Sequence, residues 1–140
     1  MEHQAIELGA PGGVLSGYAC EAGDQELLDY LDELGSDGEA IVGLLNKQCP
    51  IVAVIQRIFV DEPMRRRGLG SRLMTHFFEK AENLGAAAII INAPDSDHGS
   101  EGVELAAWLE SYGFAPASRV NDGAIYIFPA AVASAVEDEV

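Results

Sequence analysis

The sequence predicts an α+β fold with α/β/α layers, in which a mixed central sheet is covered by helices. Three consecutive segments predict it: a run rich in β-branched residues at Ile51–Val60, an amphipathic stretch at Leu69–Leu84 and an apolar segment at Ala86–Asn92. A strand, a helix and a second strand in this order are typical of a sheet with helices packed on it. The length of 140 residues and the hydrophobic content of 49% predict a single domain, residues 1–140, with its own core.

The N-terminal part of the chain predicts two short strands and a helix. Ile6–Leu8 and Val14–Cys20 flank a turn that contains glycine and proline, which favours strands on either side of it. Leucines recur at helical spacing through Asp24–Leu34, and Gly35 then ends the predicted helix. The apolar residues of Glu39–Asn46 lie close together, and we interpret this segment as a further strand.

The C-terminal part predicts a helix followed by a hairpin. Ser100 can cap a helix that reaches Tyr112. Phe114–Val120 and Ala124–Phe128 are expected to pair as a hairpin, because the residues between them favour a tight turn. The last segment, Pro129–Val140, is rich in alanine and ends in acidic residues. It is expected to be a frayed helix or a disordered tail.

The charge of the chain is strongly negative but unevenly distributed. The formal net charge is −15, whereas the window Arg57–Arg72 holds five of the eight basic residues and has a net charge of +3, which leaves −18 on the rest. An acidic surface of this kind argues against binding to nucleic acid. No apolar run approaches the ~20 residues needed to span a membrane, and no signal peptide is expected. Cys20 and Cys49 form no metal-binding pair, so we expect a cytoplasmic protein without a metal site.

The basic window has the composition of an anion-binding loop between a strand and a helix. Three arginines precede Gly68 and Gly70, and the amphipathic helix starts there. The amides of a first helical turn have no partner within the helix, and the helix dipole adds partial positive charge. We expect the two glycines to let an anion approach the backbone. A phosphate or pyrophosphate group is the predicted ligand, although neither the Walker pattern nor the dinucleotide fingerprint matches.

This segment resembles the pyrophosphate loop of the GNAT superfamily of N-acetyltransferases, which is written [QR]-x-x-G-x-[GA]. Arg65 takes the first position, and Gly68 and Gly70 take the two small-residue positions. A second block, Ala106–Phe114, is similar to the family's Gly-Phe ending. The resemblance covers about Ile51–Phe128. It implies a partly splayed central sheet of about six to seven strands flanked by helices.

The resemblance also implies a cofactor, acetyl-coenzyme A, and a place for it. The cofactor would lie in a wedge between two splayed parallel strands, Ile55–Val60 and Ala86–Asn92. The backbone of the first strand would pair with the pantetheine arm, and the loop amides would hold the pyrophosphate. By this resemblance the cofactor-binding residues are Ile58, Phe59, Val60, Arg65, Arg66, Arg67, Gly68, Leu69, Gly70 and Ser71.

The sequence departs from the family pattern where proton transfer is expected. Many family members carry a tyrosine, as the acid toward the leaving thiolate, at the position that is Leu109 here. Tyr112 and Tyr126 are the candidate replacements, although each is also typical of a packed tyrosine. Asp97 and His98 follow the strand that should line the acceptor side, and they are the candidate bases.

The resemblance therefore implies an acyltransferase that moves the acetyl group of acetyl-coenzyme A directly to a primary amine. The acceptor is a small molecule or a protein amine, and the acidic surface mildly favours a cationic one. No sequence feature requires a homodimer through the C-terminal strands, and none excludes it. The alternative is a GNAT-fold binding module with weak catalysis, which would act through contacts of its acidic surface with a protein partner.

Overall fold

The computed structural model describes residues 3–35, 38–60, 68–94, 100–120 and 123–139. These residues form six strands and five helices. In chain order they are β1 (Gln4–Ala10), β2 (Gly13–Glu21), α1 (Gln25–Glu33), α2 (Gly38–Gln48), β3 (Ile51–Val60), α3 (Leu69–Asn83), β4 (Ala88–Pro94), α4 (Ser100–Ser111), β5 (Ala115–Val120), β6 (Gly123–Phe128) and α5 (Ala130–Glu139).

The strands form one mixed sheet in the order β1-β2-β3-β4-β6-β5. Among the described strands, β3 and β4 are the parallel neighbours, and the other neighbouring pairs are antiparallel. The parallel pair is joined through α3, since a crossover connection needs a helix or a long segment. The prediction of a mixed sheet flanked by helices is therefore confirmed, with six strands.

Helices cover both faces of the sheet, and each face has its own apolar core. Alternate residues of β3 illustrate the division, because successive side chains of a strand point to opposite faces. Val52 and Val54 pack with α1, α2 and α5, whereas Ala53 and Ile55 pack with α3 and α4. We call these the α1 face and the α3 face.

The segment predicted as a strand at Glu39–Asn46 is instead part of α2, so that prediction was wrong. Ile41 and Leu45 are both fully buried, and residues four apart lie on one side of a helix. The helix starts against α1: the amide of Gly38 donates to Asp32 Oδ1 at 3.1 Å, and a Cβ at residue 38 would lie 2.5 Å from the same oxygen. Packing against α1 decides the structure here, since the apolar run alone fits either period.

The C-terminal segment is a packed helix, where the sequence predicted a frayed or disordered end. Ala133 and Val136 of α5 are fully buried in the core of the α1 face. The helix contacts β5 and α2. Its apolar residues lie on one side because they are three apart. None of the helices in the described ranges has the length and apolar character needed to cross a membrane.

Candidate active site

The two parallel strands separate halfway along β3. Their pairing runs from Val52 with Ala88 to Ile55 with Ile91, and it stops there although both strands continue. Beyond that point β3 stays paired with β2 as far as Val60, and β4 stays paired with β6. The outer edges of both strands are thus occupied while the inner edges diverge. The wedge expected between these strands is present.

A bulge in β3 lies where the strands separate. Ile55 pairs with Gly17 and Arg57 pairs with Ser16, so Gln56 has no partner in β2. A bulge of this kind bends a strand and increases its local twist. This turns the second half of β3 away from β4 and accounts for the wedge.

The helix that follows β3 starts with amides that have no acceptor within the helix. Gly68 is the N-cap with a φ of 82°, and no side chain in the described residues caps this end. The first hydrogen bond of the helix runs from the amide of Arg72 to the carbonyl of Gly68 at 3.0 Å. The amides of Leu69, Gly70 and Ser71 precede it and have no intrahelical acceptor. Gly68 and Ser71 are exposed and Gly70 is partly exposed, so an anion can reach this turn. Arg65, Arg66 and Arg67 lie outside the described residues.

The two glycines of this turn have different roles. Gly68 is required for its backbone conformation and not for space: its φ is left-handed, which favours glycine, whereas nothing lies within 4 Å of the position of its missing Cβ. Gly70 has an ordinary conformation, but a Cβ there would lie 3.3 Å from Trp108 Cζ2 and 3.7 Å from Val60 Cγ2. The small size of Gly70 therefore allows α3 and α4 to pack closely. This packing role of Gly70 was not anticipated from the sequence.

Tyr112 lies beside the first turn of α3. Its hydroxyl donates to Ser71 Oγ at 2.7 Å. The ring makes edge contacts with Trp108, at 5.1 Å between centroids, and with Phe78, at 6.1 Å. The structure thus brings this candidate to the N-terminal end of α3.

Leu109 and Tyr126 have different environments on the α3 face. Leu109, at the family's usual tyrosine position, is fully buried. Tyr126 of β6 is partly exposed and pairs with Ile91, which is the last β4 residue in the parallel pairing. The register therefore brings Tyr126 to the level at which the wedge begins. Asp97 and His98 lie outside the described residues.

Asn92 is a polar residue at the wedge that the sequence analysis did not single out. It follows Ile91 on β4, one position beyond the last parallel pair. Its Oδ1 atom is buried and has no hydrogen-bond partner within the described part of the chain. A buried acceptor without a donor is costly, so this atom suits a donor brought by a ligand. The signal in the sequence that could have identified Asn92 is its position, as a polar residue directly after the apolar run of β4.

A cavity of about 400 Å³ opens between α1 and the first three strands. Its floor is formed by β1 and β2, where Ala5 pairs with Tyr18 and Glu7 pairs with Ser16. Glu26 and Tyr30, four residues apart on α1, form a wall. The lining residues are His3, Ala5, Glu7, Ser16, Gly17, Tyr18, Glu26, Tyr30 and Gln56.

His3 joins the start of the chain to the start of α1. Its Nε2 lies 3.0 Å from Asp24 Oδ1, its Nδ1 lies 3.5 Å from Glu26 Oε2, and its ring stacks on Tyr18 at 4.7 Å. Asp24 caps α1 by accepting from the amide of Glu26 at 2.8 Å. The contact with His3, together with this cap, holds the pKa of Asp24 below its ordinary value.

Both cysteines are buried thiols without a partner sulfur. Burial raises the pKa of Cys20 to about 12, and burial also raises the pKa of Cys49. Thiols of this kind are poor nucleophiles because the thiolate is the reactive form. Both cysteines therefore act as small buried apolar residues of the core on the α1 face.

Comparisons with solved structures show a shared fold. The anti-CRISPR protein AcrVA5 aligns with a TM-score of 0.55 and 16% identity, over 89% of this chain and 98% of that one. The ribosomal-protein-S18-alanine N-acetyltransferase of Escherichia coli aligns with a TM-score of 0.54 and 17% identity, over 89% of this chain and 67% of that one. A polyamine N-acetyltransferase of Drosophila melanogaster aligns with a TM-score of 0.53 and 14% identity, over 83% of this chain and 67% of that one. No curated protein sequence matches significantly.

The sequence itself matches a family model over most of its length. The match is to the acetyltransferase (GNAT) family and spans residues 13–114, from β2 to the residue after the Gly113 turn. It includes the bulge, the wedge and the start of α3. The chain belongs to the GNAT family of acetyltransferases, and it is therefore an acyltransferase.

Proposed function

We propose that the protein transfers the acetyl group of acetyl-coenzyme A directly to a primary amine. The observation that carries the proposal is the separation of β3 from β4 after Ile55 and Ile91, together with the N-terminus of α3, which no side chain of the described residues caps. A strand edge can pair with the amide groups of a pantetheine arm as another strand would. The first turn of a helix can hold the diphosphate. The residues present thus fit this cosubstrate.

The cofactor-binding residues are proposed on this basis. Ile58, Phe59 and Val60 follow the bulge on β3 and would pair with the pantetheine arm through their backbone. The amides of Leu69, Gly70 and Ser71 would bind the diphosphate. The positive charges of Arg65, Arg66 and Arg67 precede this turn in the sequence and would strengthen the attraction for it.

Direct transfer is favoured over an acyl-enzyme intermediate. The chain has two cysteines, and both are buried with raised pKa values. In direct transfer the neutral amine attacks the thioester carbonyl, the carbon–sulfur bond breaks, and the leaving thiolate gains a proton. Two free thiols are also consistent with a reducing compartment, and we propose a cytoplasmic location.

Two tyrosines have different proposed roles. Tyr126 lies at the level where the wedge begins, which favours it as the proton donor to the leaving thiolate. The hydroxyl of Tyr112 is directed to Ser71, which favours a role at the diphosphate end. Asp97 and His98 remain the proposed bases for the acceptor ammonium.

The test of the cofactor site is thermal stability with and without acetyl-coenzyme A. A ligand at a hundred times its dissociation constant adds about 2.7 kcal/mol to the free energy of unfolding. The Ser71→Glu variant should lose this gain, because a carboxylate in the first turn repels the diphosphate. The same carboxylate interacts favourably with the positive end of the helix dipole, so the protein without ligand should keep its stability.

Thr75→Glu is the matched control, since Thr75 is exposed on α3 one turn later. It should keep the response to acetyl-coenzyme A. Activity is measured as coenzyme A released with a panel of primary amines. Binding without release on any amine would instead support the binding module that was the alternative.

A further inference from the structure

We propose that the acceptor is a small aliphatic diamine or polyamine, whose non-reacting cationic end binds in the cavity between α1 and the sheet. This inference rests on the proposed function and names its substrate class. The reacting amine lies at the wedge, and the second cation lies between the carboxylates of Glu7 and Glu26.

The cavity reaches the bulge of β3 at Gln56. This residue lines the cavity, and it is also the first residue of β3 beyond the parallel pairing with β4. A molecule in the cavity therefore has one end at the bulge, next to the place proposed for the thioester. Gly17, beside the same bulge, also lines the cavity.

The charged groups of the lining favour a cation. Glu7 and Glu26 contribute two carboxylates, and no lysine or arginine is among the described lining residues. Glu7 forms no ion pair within the described part of the chain, and the Glu26 side chain is 79% exposed with His3 Nδ1 at 3.5 Å. Both carboxylates are therefore accessible to an incoming ammonium group.

The aromatic groups of the lining suit the same ligand. The rings of His3 and Tyr18 are stacked, and Tyr30 stands on the opposing helix. Burial raises the pKa of Tyr18 and of Tyr30, so both phenols stay neutral at physiological pH. Aromatic faces attract cations and also contact hydrocarbon, which matches an alkyl chain that ends in an ammonium group.

The two amine groups of such an acceptor would have different roles and different protonation states. The reacting amine loses a proton to a base, and its lone pair attacks the carbonyl carbon of acetyl-coenzyme A. The carbon–sulfur bond breaks, an amide forms, and the thiolate is protonated. The distal amine takes no part in these steps and keeps its charge, so its binding to the carboxylates positions the reacting end.

The test compares straight-chain diamines from three to six carbons with the monoamines of equal length. Equilibrium binding to the protein without cofactor is measured by calorimetry, and kcat/KM for acetylation is measured separately. A diamine should bind more tightly than its monoamine, and added salt should reduce the difference because exposed charges are screened. Glu7→Gln and Glu26→Gln should each weaken diamine binding about fivefold, the upper range for partly exposed ion pairs, and leave the monoamine unchanged.

Glu33→Gln is the matched control, because it removes one exposed charge of α1 outside the cavity. It should change the binding of neither the diamine nor the monoamine. Equal affinity for diamines and monoamines, or equal loss in all three variants, would overturn the acceptor proposal even if acetyl transfer occurs. Selective diamine binding that needs Glu7 and Glu26, without acetyl transfer to any amine, would overturn the proposed function and keep the cation site.

Discussion

Gly17 in β2 lies so close to Val54 in β3 that a Cβ at residue 17 would overlap the Val54 carbonyl oxygen. The contact is at the bulge, where Gln56 is left without a partner in β2. The absence of a side chain at residue 17 therefore allows the bulge to form, and with it the divergence of β3 from β4. A local packing constraint is thus linked to the geometry of the candidate active site.

Gly17→Ala should lower the free energy of unfolding by about 3 kcal/mol or more, because an added methyl group has no space between the two strands. The measurement is urea denaturation followed by circular dichroism. Gly43→Ala is the control, since residue 43 is exposed in the middle of α2 with nothing within 4 Å of a Cβ. It should raise stability by up to about 1 kcal/mol. Equal effects of the two substitutions would contradict the packing argument.

Leu109→Tyr should not introduce a proton donor, although it places a tyrosine at the family's usual position. Leu109 is fully buried, and overpacking a core typically costs about 1–3 kcal/mol. Leu109→Met conserves volume and should cost less than about 1.5 kcal/mol. Thermal unfolding and kcat are measured for both variants. A higher kcat in Leu109→Tyr with unchanged stability would show that the site is open to the thioester.

Tyr126→Phe and Tyr112→Phe should affect different kinetic constants. Removal of a proton donor typically lowers kcat by about 10²-fold or more, and we expect this for Tyr126 with little change in the KM for acetyl-coenzyme A. Removal of the Tyr112 hydroxyl breaks its hydrogen bond with Ser71, so the KM should rise a few-fold with kcat nearly unchanged. The pH profile of kcat should lose its alkaline limb in Tyr126→Phe alone. An unchanged kcat in that variant would limit Tyr126 to packing.

Asp24→Ala should destabilise the protein by about 1 kcal/mol, the usual effect of removing an N-cap. Asp24 has a pKa below its ordinary value in the folded protein. The stability that it contributes is therefore present above about pH 4, the unfolded value, and it is lost as the pH falls through the folded value. Urea denaturation at pH 6 and pH 3 measures this. The difference between wild type and variant should shrink at pH 3, and a constant difference would assign the effect to helix propensity.

Local patterns predicted most elements because each depends on neighbouring residues. The stripe Leu69–Leu84 has helical periodicity, and Gly85 follows it with a φ of 88°, so the predicted helix matches α3. Glu39–Asn46 failed because a short apolar run fits a strand and a helix equally. Its packing against α1 decided between them. A helix was one of the two options for Pro129–Val140, but its packing was not predicted, because the burial of α5 depends on distant residues.

A strand, a basic glycine-rich segment and a helix follow one another in one continuous stretch of sequence, so the sequence alone determined the family and the place where α3 begins, at Gly68. The cavity was decided only by the tertiary structure. His3, Glu26 and Gln56 are far apart in the sequence and meet because β1, β2 and β3 pair in a particular register beneath α1. A local turn fixes the register of β1 with β2, but the pairing of β2 with β3 and the packing of α1 over them join segments that are distant in the chain.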